Sequence, residues 1–305
     1  MQKHDPYFDD EINLKEVFNV LWTAKKLIIL ITAIFAIGSV TYSLLLTEYY
    51  KSESLLFARS GSENQGLSQF SGLAAIAGVS LPSSGDDRAI QTIELIKSRN
   101  FVKHLLTFEN ILPSMMASKS YNHASQELLF DQTIYDSETK TWKTTSIPSY
   151  IESHATYSEM ITISQDVKTG FISINVEHIS PVFAKEFLEL IIREANALIR
   201  NRDIEESNKA LKYLKSELSK TSFVEIKESI NSLIEVQLET QMLSQINEDY
   251  ILIEIEPPFI AVEKSKPSRS IITILGTILG GILSVLIVLI RHYRVEGKYK
   301  VSEVR

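Results

Sequence analysis

Leu27–Leu46 reads LIILITAIFAIGSVTYSLLL and Ile271–Ile290 reads IITILGTILGGILSVLIVLI, two runs of twenty residues without a charge in either. An α-helix rises about 1.5 Å per residue, so each run reaches across the ~30 Å hydrocarbon core of a bilayer. A buried helix of a water-soluble core keeps a polar edge and seldom holds so long an uncharged stretch. The sequence therefore predicts two transmembrane helices, 27–46 and 271–290, with residues 47–270 held between them.

A cleaved signal peptide has a short basic start, a shorter apolar stretch and a small-residue cleavage site. Here 26 residues precede the first run and carry Asp5, Asp9, Asp10, Glu11 and Glu16. Thr47-Glu48-Tyr49-Tyr50 follows it and offers no Ala-x-Ala site. The first run is expected to be a retained anchor.

Orientation follows from Lys and Arg near the span ends. Lys15, Lys25 and Lys26 precede the first run, and Arg291, Arg294, Lys298, Lys300 and Arg305 follow the second. Lys51, Arg59, Lys264, Lys266 and Arg269 lie on the other side, so the counts are close. Long segments translocate largely regardless of charge, which favours residues 1–26 and 291–305 in the cytoplasm and 47–270 in the periplasm or at the cell exterior. The chain has no cysteine, which removes disulfides and thiolate metal sites. A formal net charge of −7, with no Lys/Arg stripe to override it, argues against nucleic acid.

Within 47–270, Tyr49–Ala58 (YYKSESLLFA) has the aromatic content and partial alternation of a strand. Gly61–Gly85 is small and uncharged over much of its length, and suggests a loop or short helix. Asp86 and Asp87 then open a helical pattern, where negative charge suits the helix dipole, and Ile90, Ile93, Ile96, Phe101 and Leu105 continue it to about residue 107. Residues 114–158 are polar and show no clear period. Glu159–Gln165 and Gly170–Glu177 read as a β-hairpin turning at Asp166–Gly170. Ser180-Pro181 supplies an N-cap and a first-turn proline, and no Gly or Pro interrupts the pattern from there to about Glu248. Thr221-Ser222 with Glu225 resembles a capping box, so two long helices are expected, about 181–220 and 223–248. A forty-residue helix reaches ~60 Å, longer than a small domain is wide, and must project or pack on other copies. Tyr250–Glu256 alternates as a strand and Pro257-Pro258 ends it. The expected fold is α+β: two transmembrane helices flanking a periplasmic domain with a small membrane-proximal mixed sheet and long protruding helices.

Catalytic patterns are missing from the sequence. It holds no phosphate loop, no G-x-G-x-x-G, no G-x-S-x-G and no H-E-x-x-H. The six histidines, at 4, 104, 123, 154, 178 and 292, have no ligand spacing. No enzyme activity, cofactor or metal is expected. Two constellations remain. Gly276-x-x-x-Gly280 with Gly281 in the second span provides a face on which helix backbones approach closely in lipid. Pro257, Pro258 and Pro267 stiffen a membrane-proximal connector whose last cation, Arg269, belongs at headgroup level.

The order of these features resembles the polysaccharide co-polymerases, the Wzz-type chain-length determinants. INLKEVFNVLW precedes the first span, and YYKSESLLFA follows it. SGLAAIAGVSLPSSG leads into IQTIELIKSRNF, then come the long helical region and a proline-bearing segment before a Gly-rich span. The family's Lys-Ser-Arg turn is matched at Lys97-Ser98-Arg99; its proline spacing is matched only loosely by Pro257, Pro258 and Pro267. The resemblance implies a non-enzymatic regulator that forms a homo-oligomeric ring in the inner membrane. It would act with a polymerase on a lipid-linked glycan, setting the length of a surface polysaccharide, O-antigen-like or capsular. One branch carries a tyrosine kinase after the second span. Fifteen residues stand there in this sequence, so a fused kinase is not expected and a separate kinase partner stays open. Two rival readings are an envelope adaptor for polysaccharide export and an extracytoplasmic sensor.

Overall fold

The computed structural model describes residues 14–59, 85–143, 147–166, 168–246 and 249–302, and the expected loop over Gly61–Gly85 lies almost entirely outside them. Two compact units are present, residues 49–265 and the pair of segments 1–48 and 266–305. The chain is α+β.

In the larger unit, β1 (Tyr49–Ala58) and β7 (Phe171–His178) form the centre of a sheet ordered β6-β7-β1-β8, with β6 Ile161–Gln165 and β8 Leu252–Glu256. A short strand, β9 (Lys264–Lys266), also pairs with β1. A mixed sheet was expected, but the pairings along that path are all antiparallel. The alternation of β1 and β7 shows why they pair as they do. Side chains two apart share a face of a strand. In register, Tyr50 meets His178, Ser52 meets Val176, Ser54 meets Ile174 and Leu56 meets Ile172, and all eight are buried. A slip of one residue would carry that whole set to the other face.

The β6–β7 turn is set by Asp166 and Gly170. Asp166 Oδ1 accepts from the amides of Lys168 and Thr169, and those bonds hold its carboxyl below the usual range. Gly170 sits at φ +73°, a left-handed conformation that a Cβ would strain, and donates to Asp166 O at 2.7 Å.

Between β1 and β6 the chain forms α3 (Gly85–Lys97), α4 (Arg99–Leu105) and α5 (Ile111–Met116). The helix expected to run through residue 107 is broken at Ser98. That residue is extended, and its hydroxyl accepts from the Phe101 amide at 3.1 Å, so it caps α4. The segment without a legible period, 114–158, contains two small hairpins, β2–β3 (Ser118–Asn122, Glu127–Phe130) and β4–β5 (Tyr135–Asp136, Thr141–Trp142). It continues into α6 (Tyr150–Met160), which starts with a capping box between Ser149 and Glu152. Helix α6 absorbs Glu159 and Met160, which the sequence pattern had given to the strand.

Helix α7 (Pro181–Lys220) has forty residues and works in two halves. Its first half lays Phe183, Phe187, Leu188, Ile191, Ile192 and Ala195 on the sheet and on α3–α6. Its second half pairs with α8 (Val224–Ile246), and a separate small core forms there from Leu214, Ile230, Leu233 and Val236. Between Leu198 and Glu206 no α7 side chain is fully buried. The two clusters are thus separate bodies of apolar contact on one rod.

The smaller unit contains α1 (Leu14–Thr23), α2 (Lys25–Leu45) and α9 (Arg269–Ser302). Helix α2 and the stretch Arg269–Arg294 are each long and apolar enough to cross a membrane, and only 6% and 17% of their most apolar windows are buried within the chain. A water-soluble core helix would hide such a surface; these leave Ile29, Leu30, Ile37, Ile274, Leu275 and Ile282 outward.

Candidate functional site

Among the described residues no three His, Cys, Asp or Glu side chains converge as metal ligands would. The geometry that stands out is of three kinds: a tight helix crossing, buried polar pins between elements, and an apolar helix face left open.

The crossing joins α2 and α9. A Cβ added at Gly276 would fall 2.4 Å from Ser39 Cβ, and one at Gly280 would fall 2.4 Å from Phe35 Cβ. These distances are far inside van der Waals contact, so the helices approach as they do because both positions lack a side chain. The contacts run antiparallel, Ser39 against Gly276 and Phe35 against Gly280, and Ser43 and Ser284 continue the spacing of four on each helix. Ser43 and Ser284 are buried in that row. Gly281 points elsewhere, with nothing within 4 Å of its added Cβ. At the start of α9, Arg269 donates to Glu48 Oε1 at 2.7 Å, both groups about one third exposed.

The other singled-out residues of the connector do not gather into one site. Pro257 is exposed and Pro258 buried, just past β8, while Pro267 follows the last residue of β9. What holds this connector is the buried serine row of β1. Ser54 Oγ donates to Glu256 O and Ser52 Oγ to Phe259 O, each at 2.8 Å.

Sequence reasoning missed the pins. Asn196, buried on α7, accepts from the amides of Ile251 and Leu252 at 2.9 and 2.8 Å and donates to Leu252 O at 3.0 Å. Arg88 of α3 forms an ion pair with Asp203 of α7, and Tyr250 donates to the same carboxylate oxygen at 2.8 Å. Burial, aided by the Asp203 charge, pushes the Tyr250 phenol up to about 12. His178 ends β7, bonded through Nε2 to Ser114 O and accepting through Nδ1 from the Ser180 amide at 3.1 Å. An Nδ1 that accepts is unprotonated, so Nε2 carries the hydrogen and donates. Burial pushes its pKa down to about 4. A helix-interior Asn followed fifty residues later by alternating Ile and Leu was the faint signal for the first pin; nothing local marked the others.

Helix α8 carries the open apolar face. Leu238, Met242 and Ile246 recur every four residues and are 43%, 61% and 73% exposed. With Ile234 and Leu243 they line a shallow apolar trough edged by Glu235 and Glu239.

Two helices long and apolar enough to cross a membrane stand on either side of the α+β segment in the sequence. Residues 10–107 match the family model of the Wzz chain length determinant protein. Helix α2 lies within the matched residues, and it and the stretch Arg269–Arg294 are the two candidate membrane crossings among the described residues. Two solved structures are similar in outline. One is a full-length bacterial polysaccharide co-polymerase, 12% identical with a TM-score of 0.45, covering 93% of this chain and 99% of the other. The second is a fragment of WzzB, a polysaccharide co-polymerase from Salmonella Typhimurium, 9% identical with a TM-score of 0.34, covering 72% and 100%. No curated protein matches the chain in sequence.

Proposed function

We propose that this chain regulates the length of a surface polysaccharide, O-antigen-like or capsular, as a scaffold rather than as a transferase. The observation that carries the reading is the Wzz match over residues 10–107, which takes in α2, β1, α3 and α4. In this reading 27–46 and 271–290 are the crossings, residues 47–270 lie in the periplasm, and both termini are cytoplasmic. Gly276 and Gly280 hold the two crossings together in lipid, where small residues let backbones approach.

The scaffold is an oligomer whose copies meet along α8. The exposed row Leu238, Met242 and Ile246 supports this, because contiguous apolar surface on a folded domain marks a contact that the isolated chain does not make. Copies that repeat one head-to-tail contact close into a ring when the rotation allows. Such a ring would bring several copies around one polymerase and its lipid-linked glycan.

The test is the double variant Leu238→Glu, Met242→Glu in the full chain, read by light scattering in detergent and by the polysaccharide ladder of complemented cells. Loss of the oligomer together with loss of the modal length is expected. An intact oligomer with an unaltered mode would remove α8 from the reading.

A further inference from the structure

Four large apolar side chains outside the spans and outside α8 lie close together in sequence at the edge of the sheet. Ile255 at the end of β8 is 51% exposed, Phe259 52%, Ile260 49% and Val262 94%. Val262 and its neighbours do not belong to a frayed loop. Ser52 and Ser54, both buried on β1, hold the carbonyls of Phe259 and Glu256, and Pro258 and Ala261 are themselves buried. A segment fixed at its backbone and at alternate side chains, yet presenting Phe, Ile and Val outward, is pre-organised for an apolar environment.

Chain length says which environment. Tyr49 follows Leu45, the last residue of α2, by four residues. Ser265 precedes Arg269, the first residue of α9, by four, and its hydroxyl donates to Tyr49 O at 3.1 Å. Four residues reach at most about 14 Å, so the paired ends of β1 and β9 are tied on two tethers to the ends of both spans. The headgroup zone beyond the hydrocarbon is itself roughly 5–8 Å deep on each side. Val262 is only two residues from Lys264, where β9 begins.

We infer that Phe259, Ile260 and Val262 form an apolar foot that rests in the headgroup–acyl boundary of the outer face of the bilayer. Aromatic and aliphatic side chains on a fixed support partition into that boundary, and flanking Lys and Arg side chains suit its phosphates. Lys264 and Lys266 follow the foot in sequence, after Glu263. This inference rests on the two-span reading.

The chain has no cysteine, so single-cysteine variants report one site each. Val262→Cys, Ser216→Cys on an exposed turn of α7, and Ile278→Cys on the exposed face of α9 are labelled with an environment-sensitive fluorophore. Each full-length variant is then reconstituted into phosphatidylethanolamine–phosphatidylglycerol vesicles containing spin-labelled quencher lipid. The expected result is blue-shifted, lipid-quenched emission at 262 and 278, and red, unquenched emission at 216. Quenching at 278 with 262 as red and unquenched as 216 overturns the foot and leaves the spans standing. Emission at 262 that is blue but unquenched means a second copy or another protein covers the loop, which also overturns it. Absence of quenching at 278 overturns both the foot and the two-span reading.

Discussion

Asn196 and Leu252 are bonded twice, side chain to backbone: the Asn196 carboxamide accepts from the Leu252 amide at 2.8 Å and donates to the Leu252 carbonyl at 3.0 Å. Helix α7 thereby supplies to β8 the hydrogen bonds that a neighbouring strand would otherwise supply at that point. Both residues are buried, so the bonds have no competition from water. The pair fixes the strand that leads out of the domain to the long helix whose far half carries α8.

Replacing Asn196 by Leu should remove those bonds and strand the Ile251 and Leu252 amides in an apolar setting. An unsatisfied buried polar group costs about 1–3 kcal/mol, so a loss of roughly 3 kcal/mol is expected. Urea unfolding of the full chain in detergent, followed by circular dichroism, gives the value. A change under about 0.5 kcal/mol would place the substitution among neutral surface changes and remove the pin.

His178 makes stability depend on pH in a definite direction. Its ordinary pKa is 6.5 and burial lowers it to about 4 in the folded chain. The unfolded state therefore binds more protons than the folded one between those values, and stability rises with pH across the window. Its contribution is fully present above pH 6.5 and is lost as pH falls towards 4. The gap corresponds to a loss on the order of 3 kcal/mol. Protonation would also turn Nδ1 into a donor facing the Ser180 amide, which breaks the link to the first turn of α7. Unfolding midpoints taken from pH 7.5 to 5 should fall for the native chain and stay flatter for His178→Gln. Parallel slopes would show that other groups set the acid response.

Arg88, Asp203 and Tyr250 differ in what their loss should cost. The Arg88 and Asp203 side chains are only 18% and 15% exposed, so Asp203→Ala leaves a poorly hydrated guanidinium unpaired. That is worth about 3 kcal/mol, whereas Tyr250→Phe removes a single hydrogen bond worth about 1 kcal/mol. The ratio between the two variants, measured by the same unfolding curves, is the readout; equal effects would mean that the ion pair is idle.

At the helix crossing, Gly276→Val and Gly280→Val must push α2 and α9 apart, because an added Cβ already lies 2.4 Å from a neighbour. Overpacking of this kind costs about 1–3 kcal/mol. Gly281→Ala meets nothing within 4 Å and should be neutral. Melting temperatures in mild detergent should separate the first two variants from the third, and a drop at Gly281 as large as at Gly280 would contradict the crossing geometry.

Much of the architecture was legible because its signals are local and repetitive. The charge-free runs and the Ser180-Pro181 start of α7 each follow from one period or one cap, while the strand expected over 250–256 begins at Leu252. The β1 strand was read to its ends, Tyr49 and Ala58. The two helices of the projecting pair were expected to part near Thr221, and the structure resumes the helix at Val224. The 114–158 segment was opaque because its strands have two to five residues, too short for a period to register. The break at Ser98 was hidden by apolar residues that keep helical spacing across it; only the extended backbone of the cap separates α3 from α4. In the candidate site, Gly276 and Gly280 stand out by their spacing, but the residues an added Cβ would meet there, Ser39 and Phe35, lie more than 200 residues away in sequence. Asn196, Asp203 and His178 were invisible for the same reason: their partners are defined by the fold and not by the neighbouring residues.

Control of polysaccharide length is tested by the length distribution of the surface polysaccharide with and without this protein. Gel ladders from cells lacking it should keep polymer but lose the modal length, and the full chain supplied in trans should restore the mode. A ladder with the same mode and spread in its absence would contradict the account.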